Sequence, residues 1–367
     1  MRTAIVTGGA SGIGRALAEA LAARGVAVTV ADLTTPPSAP PSTGAPPSSE
    51  PSPAPPTRTA PPTEPAPAPS TGATPPAGSS SGPPVAGTTA TVAGPTIGSA
   101  SASFGGSGPS AGPAASPKPG EVRFARVDVT DADAVAALVE RVTDEHGRLD
   151  FMFNNAGIAV GGTAQEMTRE HWDRTIDVNL RGVVHGVLAA YPVMARQGFG
   201  HIVNTASLAG LVPAPLMLPY TATKHAVVGL SLALRAEAAA HGVRVCVVCP
   251  GFVDTPLLDN ANPGLPATRI GASARQVIGR GPGRLYSAEA LAEDVLRGVA
   301  RNRALIVAPA SGRLAWRLAR LWPGGAVRAA RVASGLTSGL ASGLASGLAS
   351  GLVSGRRGAS REAPPPA

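Results

Sequence analysis

The stretch Thr3-Ala4-Ile5-Val6-Thr7-Gly8-Gly9-Ala10-Ser11-Gly12-Ile13-Gly14 decides the fold of this chain. Its first five residues are mostly apolar and predict a short buried strand. A glycine-rich turn follows, and a helix is predicted from about Gly14 to Arg24. Glycines between a strand and a helix let the backbone approach a pyrophosphate, which the free amides at the helix N-terminus favour. The turn therefore indicates a dinucleotide site, with an ordinary glycine-rich turn as the simpler alternative.

Strands and helices alternate along the rest of the chain. Helices are predicted at 132–146, at 169–196 and from Tyr220 to Leu234, and further strands at 26–32, 122–128, 150–154, 200–205, 243–249 and 304–308. This alternation is typical of right-handed βαβ units. We therefore expect an α/β fold, a Rossmann-type doubly wound parallel sheet of about seven strands with helices on both faces.

Two low-complexity regions interrupt this pattern. Residues 34–119 hold 24 of the 38 prolines and are rich in Ser and Thr. Such a segment buries too little apolar surface to offset its ordering entropy, so we predict a disordered insertion. A Ser-Gly-Leu repeat dominates 334–367 and predicts a disordered tail, although its glycine spacing also suits helix contacts in membranes. The remaining residues, 1–33 and 120–312, are assigned to a single folded domain.

The positive charge is concentrated near the C-terminus. The formal net charge is +8, and eight arginines against one acid, Glu362, lie between Arg313 and the end. Segment 313–333 carries its arginines and apolar residues at helical spacing, which indicates an amphipathic surface helix. It fits an anionic membrane surface, and equally a helix packed on the sheet or at an oligomer interface. Nucleic acid is disfavoured because aromatic residues are few.

The two cysteines and the scattered histidines argue against a metal site. Cys246 and Cys249 are three residues apart in an apolar run that reads as a strand, so they point to opposite faces and suit a buried core. No metal is therefore expected. No signal peptide precedes the first strand and no apolar run is long enough to span a bilayer, which predicts a cytoplasmic protein, with peripheral membrane contact as an option.

Tyr220 and Lys224 are the strongest sign of chemistry. Their spacing of four puts both side chains on one helix face, one turn apart. A lysine ammonium close to a phenol stabilises the phenolate and lowers the tyrosine pKa. The pair therefore predicts a general acid/base unit, although the same spacing arises by chance on many amphipathic helices.

Asp32 is a candidate for selecting the cofactor. It ends the second predicted strand, 18 residues after Gly14. A carboxylate there accepts hydrogen bonds from the adenosine ribose and repels a 2′-phosphate. No basic residue adjoins it in the sequence, and Ser11 stands in the glycine turn. These features favour NAD over NADP, while a turn-forming aspartate is the alternative.

The motifs together resemble the classical short-chain dehydrogenases/reductases. The resemblance covers about 2–32 and 121–309, and its motifs occur in the family's order: Thr7-Gly8-x-x-x-Gly12-Ile13-Gly14, Asp128-Val129, Asn154-Asn155-Ala156-Gly157, Asn179, Ser207, Tyr220-x-x-x-Lys224, and Pro250-Gly251 with Thr255. It implies an NAD(P)-dependent oxidoreductase for secondary alcohols or ketones, which forms homodimers or homotetramers.

The resemblance also implies a role for each motif. Tyr220 would be the general acid/base, Lys224 would lower its pKa, Ser207 would bind the reacting oxygen, and Asn179 would link Lys224 to solvent. Cofactor contacts are implied for Gly8, Ser11, Gly12, Ile13, Gly14, Asp32, Asp128, Val129, Asn155, Ala156, Gly157, Tyr220, Lys224, Pro250, Gly251, Val253 and Thr255. Simpler structural roles remain for several of them: a backbone hydrogen bond for Asn179, a turn cap for Ser207 and a helix cap for Thr255.

The chain departs from the family's pattern in its insertion, which could loosen the Asp32 contact, and in its tail. Residues 259–286 correspond to the family's substrate cover and are expected to be mobile. Leu257, Leu258 and Leu265 suggest an apolar substrate. A cofactor-binding scaffold without catalysis is the alternative function, although the complete Ser, Tyr and Lys set argues against it.

Overall fold

The computed structural model describes residues 1–35, 120–269, 275, 285–332 and 334–335. One compact unit comprises Met1–Pro41 with Ala115–Ala367, and a second unit, Ser42–Ala114, falls wholly outside the described residues. The predicted insertion from residue 36 onward and the repeat tail from residue 336 onward are also outside them. Their disorder and the proposed domain limits therefore stay predictions.

Seven parallel strands form one sheet in the order β3-β2-β1-β4-β5-β6-β7. Their bounds are β1 Thr3–Thr7, β2 Ala27–Asp32, β3 Val122–Arg126, β4 Phe151–Asn154, β5 Gly200–Thr205, β6 Val243–Pro250 and β7 Leu305–Ala308. The sheet confirms the predicted doubly wound fold. The strand order reverses between β1 and β4, and the carboxyl ends of these strands border a crevice where ligands bind in such folds.

Helices cover both faces of the sheet. Within the described residues they are α1 Gly12–Ala22, α2 Ala132–His146, α3 Arg169–Ile176, α4 Gly182–Gln197, α5 Leu218–Ala238, α6 Ala288–Ala300, α7 Ala310–Leu321 and α8 at 323–332. Local signals fix their ends. The Asp131 side chain accepts from the Ala134 amide ahead of α2, and Gly147 ends that helix with φ +70°.

Alternate residues of the strands pack into two apolar layers, one on each face of the sheet. Ala4, Val6 and Phe153 pack with α1 and α6 on one face. Ile5 and Met152 pack with α2 and α4 on the other. Because successive strand residues point to opposite faces, two-sided burial requires near-continuous apolar strands, and the sequence supplies them. Cys246 and Cys249 are buried, as predicted, and burial raises the pKa of both thiols to about 12.

A histidine lies buried within the sheet. His201 on β5 is 4% exposed, and its Nε2 has no hydrogen-bond partner among the described residues. Burial, and then the nearby Arg244 and Arg235, lower the pKa of His201 to about 4. The imidazole is therefore neutral in the folded protein at neutral pH, and acid must charge it in an apolar layer.

We expect His201→Leu to make the protein less sensitive to acid. The folded pKa lies below the ordinary 6.5, so the unfolded chain binds more protons and wild-type stability is lost as pH falls from 6.5 towards about 4. The shift corresponds to about 3 kcal/mol. Urea unfolding across this range should give a smaller loss for His201→Leu than for wild type. His225→Leu, at an exposed position of α5, is the control, and equal losses in all three proteins would contradict the assignment.

Candidate active site

A cavity of about 690 Å³ opens at the carboxyl ends of the strands, where the strand order reverses. Its walls come from the turn after β1, the ends of β2 and β5, the segments after β3, β4 and β6, and the start of α5. Every residue nominated as catalytic or cofactor-binding lines it except Gly14 and Asn179. Of the three leucines named for the substrate, Leu257 and Leu258 line it and Leu265 does not. Motifs more than two hundred residues apart in sequence thus meet in one place.

The glycine turn is packed tightly against the end of β4. Gly8 has φ +64°, and a Cβ built on it would lie 2.7 Å from the Ala156 Cα. A Cβ on Gly14 would collide with the Gly8 carbonyl oxygen. Gly14 therefore packs against the side of the turn that faces away from the cavity and does not line it. The first turn of α1 has no side-chain cap from Ser11, which leaves its amides available to an anion.

Asn155 ties this turn to the centre of the sheet. Its Nδ2 donates to the Thr7 and Gly8 carbonyls at 3.1 and 3.2 Å. Its Oδ1 accepts from the Thr205 hydroxyl at 3.3 Å. One side chain therefore links the ends of β1, β4 and β5, so Asn155 has a structural role in addition to lining the cavity.

Asp32 is held at the rim beside the glycine turn. One carboxylate oxygen accepts from the Ala10 amide at 2.9 Å, and the other accepts from the Leu33 amide at 2.8 Å. No basic residue adjoins Asp32 in the sequence, but the parallel register sets Arg126 of β3 opposite it. Strand pairing thus places a basic residue 94 positions away in sequence next to Asp32, while the preference for NAD stays a prediction. Arg126 does not line the cavity.

Tyr220, Lys224 and Ser207 converge on the inner part of the cavity. Lys224 Nζ lies 5.5 Å from the Tyr220 ring centroid, which confirms the shared helix face, and donates to the Thr205 carbonyl at 2.9 Å. The Ser207 hydroxyl accepts from the Ala209 amide at 3.1 Å and hydrogen-bonds Tyr220. Tyr220 and Lys224 are 9% and 3% exposed, so water is largely kept from both.

Burial sets the protonation of this group. It raises the pKa of Tyr220, and the hydrogen bond with Ser207 only partly opposes that shift. It lowers the pKa of Lys224 to about 8. The expected lowering of the Tyr220 pKa by Lys224 is therefore not seen in this structure, because loss of hydration disfavours both charged forms.

Asn179 lies beside the same group, one layer behind the cavity wall. It belongs to a π-helical turn, Asp177–Arg181, that interrupts the single helix predicted for 169–196. Its side chain accepts from the Ile158 amide at 2.8 Å and donates to the Ile158 carbonyl at 3.0 Å. A Cβ on Gly157 would lie 3.1 Å from Asn179 Oδ1 and 3.5 Å from Lys224 Nζ. The extra residue of a π turn turns Asn179 inward, as is common near functional sites.

The segment after β6 forms the opposite wall. Pro250, Gly251, Val253 and Thr255 line the cavity there. Thr255 packs on the glycine turn, since its Cγ2 would lie 3.0 Å from a Cβ on Gly12. It also precedes the 3-10 turn Pro256–Leu258, but makes no side-chain cap hydrogen bond with it. Packing on the glycine turn is therefore its observed contact.

Sequence reasoning missed the residues that fix the substrate side. Asn262, at φ +59°, accepts from the Gly161 amide at 2.9 Å and donates to the Gly161 carbonyl and the Thr268 hydroxyl. Buried His171 bonds the Pro266 carbonyl at 3.0 Å. These bonds tie 259–269 to the rest of the fold. Residues 270–274 and 276–284 of the expected substrate cover lie outside the described residues, so its mobility stays a prediction. An asparagine before Pro-Gly at 262–264 was the available signal, since Asn tolerates a left-handed backbone.

The sequence pattern of the family described as short chain dehydrogenase matches residues 2–40 and 113–266, more than half of the chain. The chain belongs to the short chain dehydrogenase family. This membership confirms the resemblance inferred from the motifs. The family match passes over 41–112, within the predicted insertion.

Relatives within the short chain dehydrogenase family are similar over part of their length. The D-beta-hydroxybutyrate dehydrogenase of Rhizobium meliloti is 38% identical over 43% of this chain and 61% of its own. The 3-oxoacyl-[acyl-carrier-protein] reductase FabG of Thermotoga maritima is 38% identical over 38% of this chain and 57% of its own length. The chain therefore aligns with little more than half of these relatives. A Burkholderia phymatum short chain dehydrogenase/reductase solved with NAD superposes with TM-score 0.59 and 25% identity, over 87% of this chain and 92% of that one.

We expect Lys224→Met to stabilise the protein most at neutral pH. Because the folded pKa of Lys224 is about 8 against an ordinary 10.5, the unfolded chain binds more protons between these values. The free energy of unfolding of the wild type therefore rises with pH between about 8 and 10.5. The stability gain of Lys224→Met over the wild type becomes smaller across the same range. Chemical denaturation from neutral pH to above pH 10.5 measures this, with Tyr220→Phe as a control that keeps the lysine. A difference that does not change with pH would contradict the lowered pKa.

Proposed function

We propose that this protein is an NAD(P)-dependent oxidoreductase that acts on CH–OH groups, interconverting a secondary alcohol and a ketone. The observation that carries the proposal is the convergence of Ser207, Tyr220 and Lys224 with the glycine turn in one cavity. The named relatives include a hydroxybutyrate dehydrogenase and an oxoacyl reductase, which is consistent with this chemistry.

The cavity fits a dinucleotide. A glycine turn without room for a Cβ, the uncapped start of α1 and a fixed Asp32 carboxylate supply the close backbone, the amides and the ribose acceptor that such a ligand needs. Further contacts would come from Asp128 and Val129 at the adenine end. Residues 155–157 would border the middle, and Pro250, Gly251, Val253 and Thr255 the nicotinamide end. When bound, the nicotinamide supplies or accepts the hydride.

The protein's own residues manage the proton. In reduction, the Tyr220 phenol would donate its proton to the carbonyl oxygen, and in oxidation the phenolate would take it from the alcohol. Ser207 already hydrogen-bonds Tyr220, so its hydroxyl is within reach of the same oxygen. The Lys224 ammonium would favour the Tyr220 phenolate once a bound ligand brings charge into the cavity. Asn179 would link Lys224 to solvent, a role supported by their common contact with Gly157.

We further propose that the substrate is largely apolar. Beyond the polar group the cavity wall is mainly aliphatic, with Leu208, Val212, Leu216, Met217, Leu257 and Leu258, although Arg174 also lines it. Such a wall favours hydrocarbon and offers few partners to a charged or hydroxylated substrate.

The proposal extends to the assembly and the location. Leu188 on α4 and Leu232 on α5 are 66% and 42% exposed, which supports a homodimer or homotetramer joined through these helices.

We propose a cytoplasmic protein with peripheral membrane contact through segment 313–333. Among the described residues no helix combines the length and the apolar character needed to cross a bilayer.

Tyr220→Phe should abolish turnover and leave cofactor binding intact, because the substitution removes only the transferable proton. A panel of alcohols and ketones assayed with NAD and NADP, and with their reduced forms, gives the wild-type activity. NADH fluorescence titration then measures binding to the variant. We expect a loss of about a thousandfold or more in kcat. Thr221→Ala on the same helix, at a residue that does not line the cavity, is the control. Wild-type turnover by Tyr220→Phe would refute the assignment.

Asp32→Asn should relax the preference for NAD, because it removes the charge that repels a 2′-phosphate. The ratio of kcat/KM for NAD to that for NADP should fall by about tenfold or more. Arg126→Gln is the informative partner variant, since Arg126 lies opposite Asp32 in the sheet. A wild-type enzyme that prefers NADP and loses that preference in Arg126→Gln would overturn the proposed selectivity.

A further inference from the structure

The first of the two C-terminal helices, α7, has a clearly defined inner face. On α7, buried Gly312 packs against Leu208 and Val307, with 3.5 and 3.7 Å from a built Cβ. Trp316, one turn later, packs on the core cluster that contains Val307. Residues 312 and 316 thus fix which side of α7 faces the protein.

The opposite side of α7 is apolar and exposed. Leu314, Leu318 and Leu321 are 59%, 57% and 83% exposed, and Trp322 directly after the helix is 67% exposed. At about 100° per residue, the three leucines lie on one stripe roughly opposite Gly312 and Trp316. Val327 and Val332 of α8 add two more exposed apolar side chains. A helix that turns its leucines away from its own core requires an apolar partner.

Positive charge flanks this stripe. Residues 310–335 contain five arginines and no acid. Arg313, Arg317 and Arg320 each precede a leucine of the stripe and lie in an exposed row beside it. Arg313 also donates to the Val307 carbonyl at 3.0 Å, so Arg317 and Arg320 are the more outward pair. A leucine and tryptophan stripe with arginines along its edge is the pattern of a helix that lies in the interface of an anionic membrane. A second protein copy would instead have to accommodate the like charges of both partners.

The same segment also forms part of the cavity wall. Ala330 of α8 and Ser334 just beyond it line the cavity, as do the aliphatic residues Leu208 and Val212. Val327, Arg328, Arg331 and Val332 are exposed on that helix. A single helix therefore separates the apolar interior of the cavity from the apolar and basic outer surface.

We propose that α7 and α8 dock this protein on an anionic bilayer, and that the cavity takes its substrate, a long-chain apolar ketone or alcohol, from that bilayer. The inference rests on the proposed oxidoreductase function for the substrate, whereas the docking rests on the helices alone. Exposed leucines bury apolar area in the acyl boundary, while the arginines meet phosphate head groups. The cavity wall at α8 then lies against the phase in which an apolar substrate dissolves.

Co-sedimentation of the full chain with vesicles tests the docking. Vesicles of one third phosphatidylglycerol in phosphatidylcholine should bind the wild type, and binding should weaken with salt. The double variant Leu318→Ser, Trp322→Ser should bind about tenfold or more weakly, because it removes apolar area without changing charge. Arg313→Gln, Arg317→Gln, Arg320→Gln should also bind weakly. Arg126→Gln, Arg141→Gln, Arg169→Gln changes the net charge equally at exposed positions elsewhere and should bind like wild type.

Two results would overturn the docking. One is wild type that stays in the supernatant, or binds no better than Leu318→Ser, Trp322→Ser. The other is a shift from dimer to monomer in light scattering caused by that double variant without any vesicle binding, which would assign the stripe to a second copy of the chain. Circular dichroism confirms that each variant is folded. None of these measurements depends on turnover.

Activity measurements test the link to the cavity. Ala330→Leu should lower kcat/KM for a long-chain ketone carried in vesicles by about tenfold relative to a short water-soluble ketone, because it narrows the wall at α8. Vesicle binding and NADH binding should stay at wild-type values. Equal loss for both ketones would overturn entry at α8, while absence of all turnover in wild type would refute the proposed function and leave the docking result standing.

Discussion

The close packing of the glycine turn against the end of β4 is the constraint on which the rest of the site depends. Gly8 approaches Ala156 too closely for any side chain, and Gly14 lies against the Gly8 carbonyl. Asn155 then locks the contact by bonding both Thr7 and Gly8. Because strand β4 is fixed to β1 here, the segments that follow β4 and β5 bring Gly157 and Ser207 to the same opening as the turn. Loss of this approach would separate the glycine turn from Tyr220 and Lys224.

Burial of a lysine and a tyrosine in the same wall has a cost in stability that the fold tolerates. Lys224 keeps one backbone acceptor, Thr205, and Tyr220 keeps Ser207. Both pKa shifts oppose the charged forms, so the site is poised to respond when a ligand brings charge close to it. Strained or poorly solvated groups of this kind persist where they serve function, since natural selection trades stability for activity.

The sequence predicts the fold well because its strands are short, mostly apolar and separated by helices with a regular spacing of apolar residues. The motif residues are equally easy to identify from the sequence, since glycine turns and a Tyr-to-Lys spacing of one helical turn are local features. Contacts between residues that are far apart in the chain could not be predicted from the sequence. The position of Arg126 opposite Asp32, the bonds of Asn262 to Gly161 and the inward turn of Asn179 depend on pairing and on a π turn. The direction of the Tyr220 pKa shift also needed the burial that only the assembled structure supplies.

The edge position of β3 has a consequence for how this gene can change. Strand β2 ends at Asp32 and its neighbour β3 begins at Val122, on the outermost side of the sheet. Closing a loop becomes only slightly more costly as it lengthens, by about 0.6 kcal/mol for each doubling. Sequence added between these strands need not pass between any other pair, so the connection can gain or lose residues with little penalty. The outer edge of the sheet is therefore where related genes are expected to differ most in length, and where a foreign domain could be grafted with the least harm to the reaction centre.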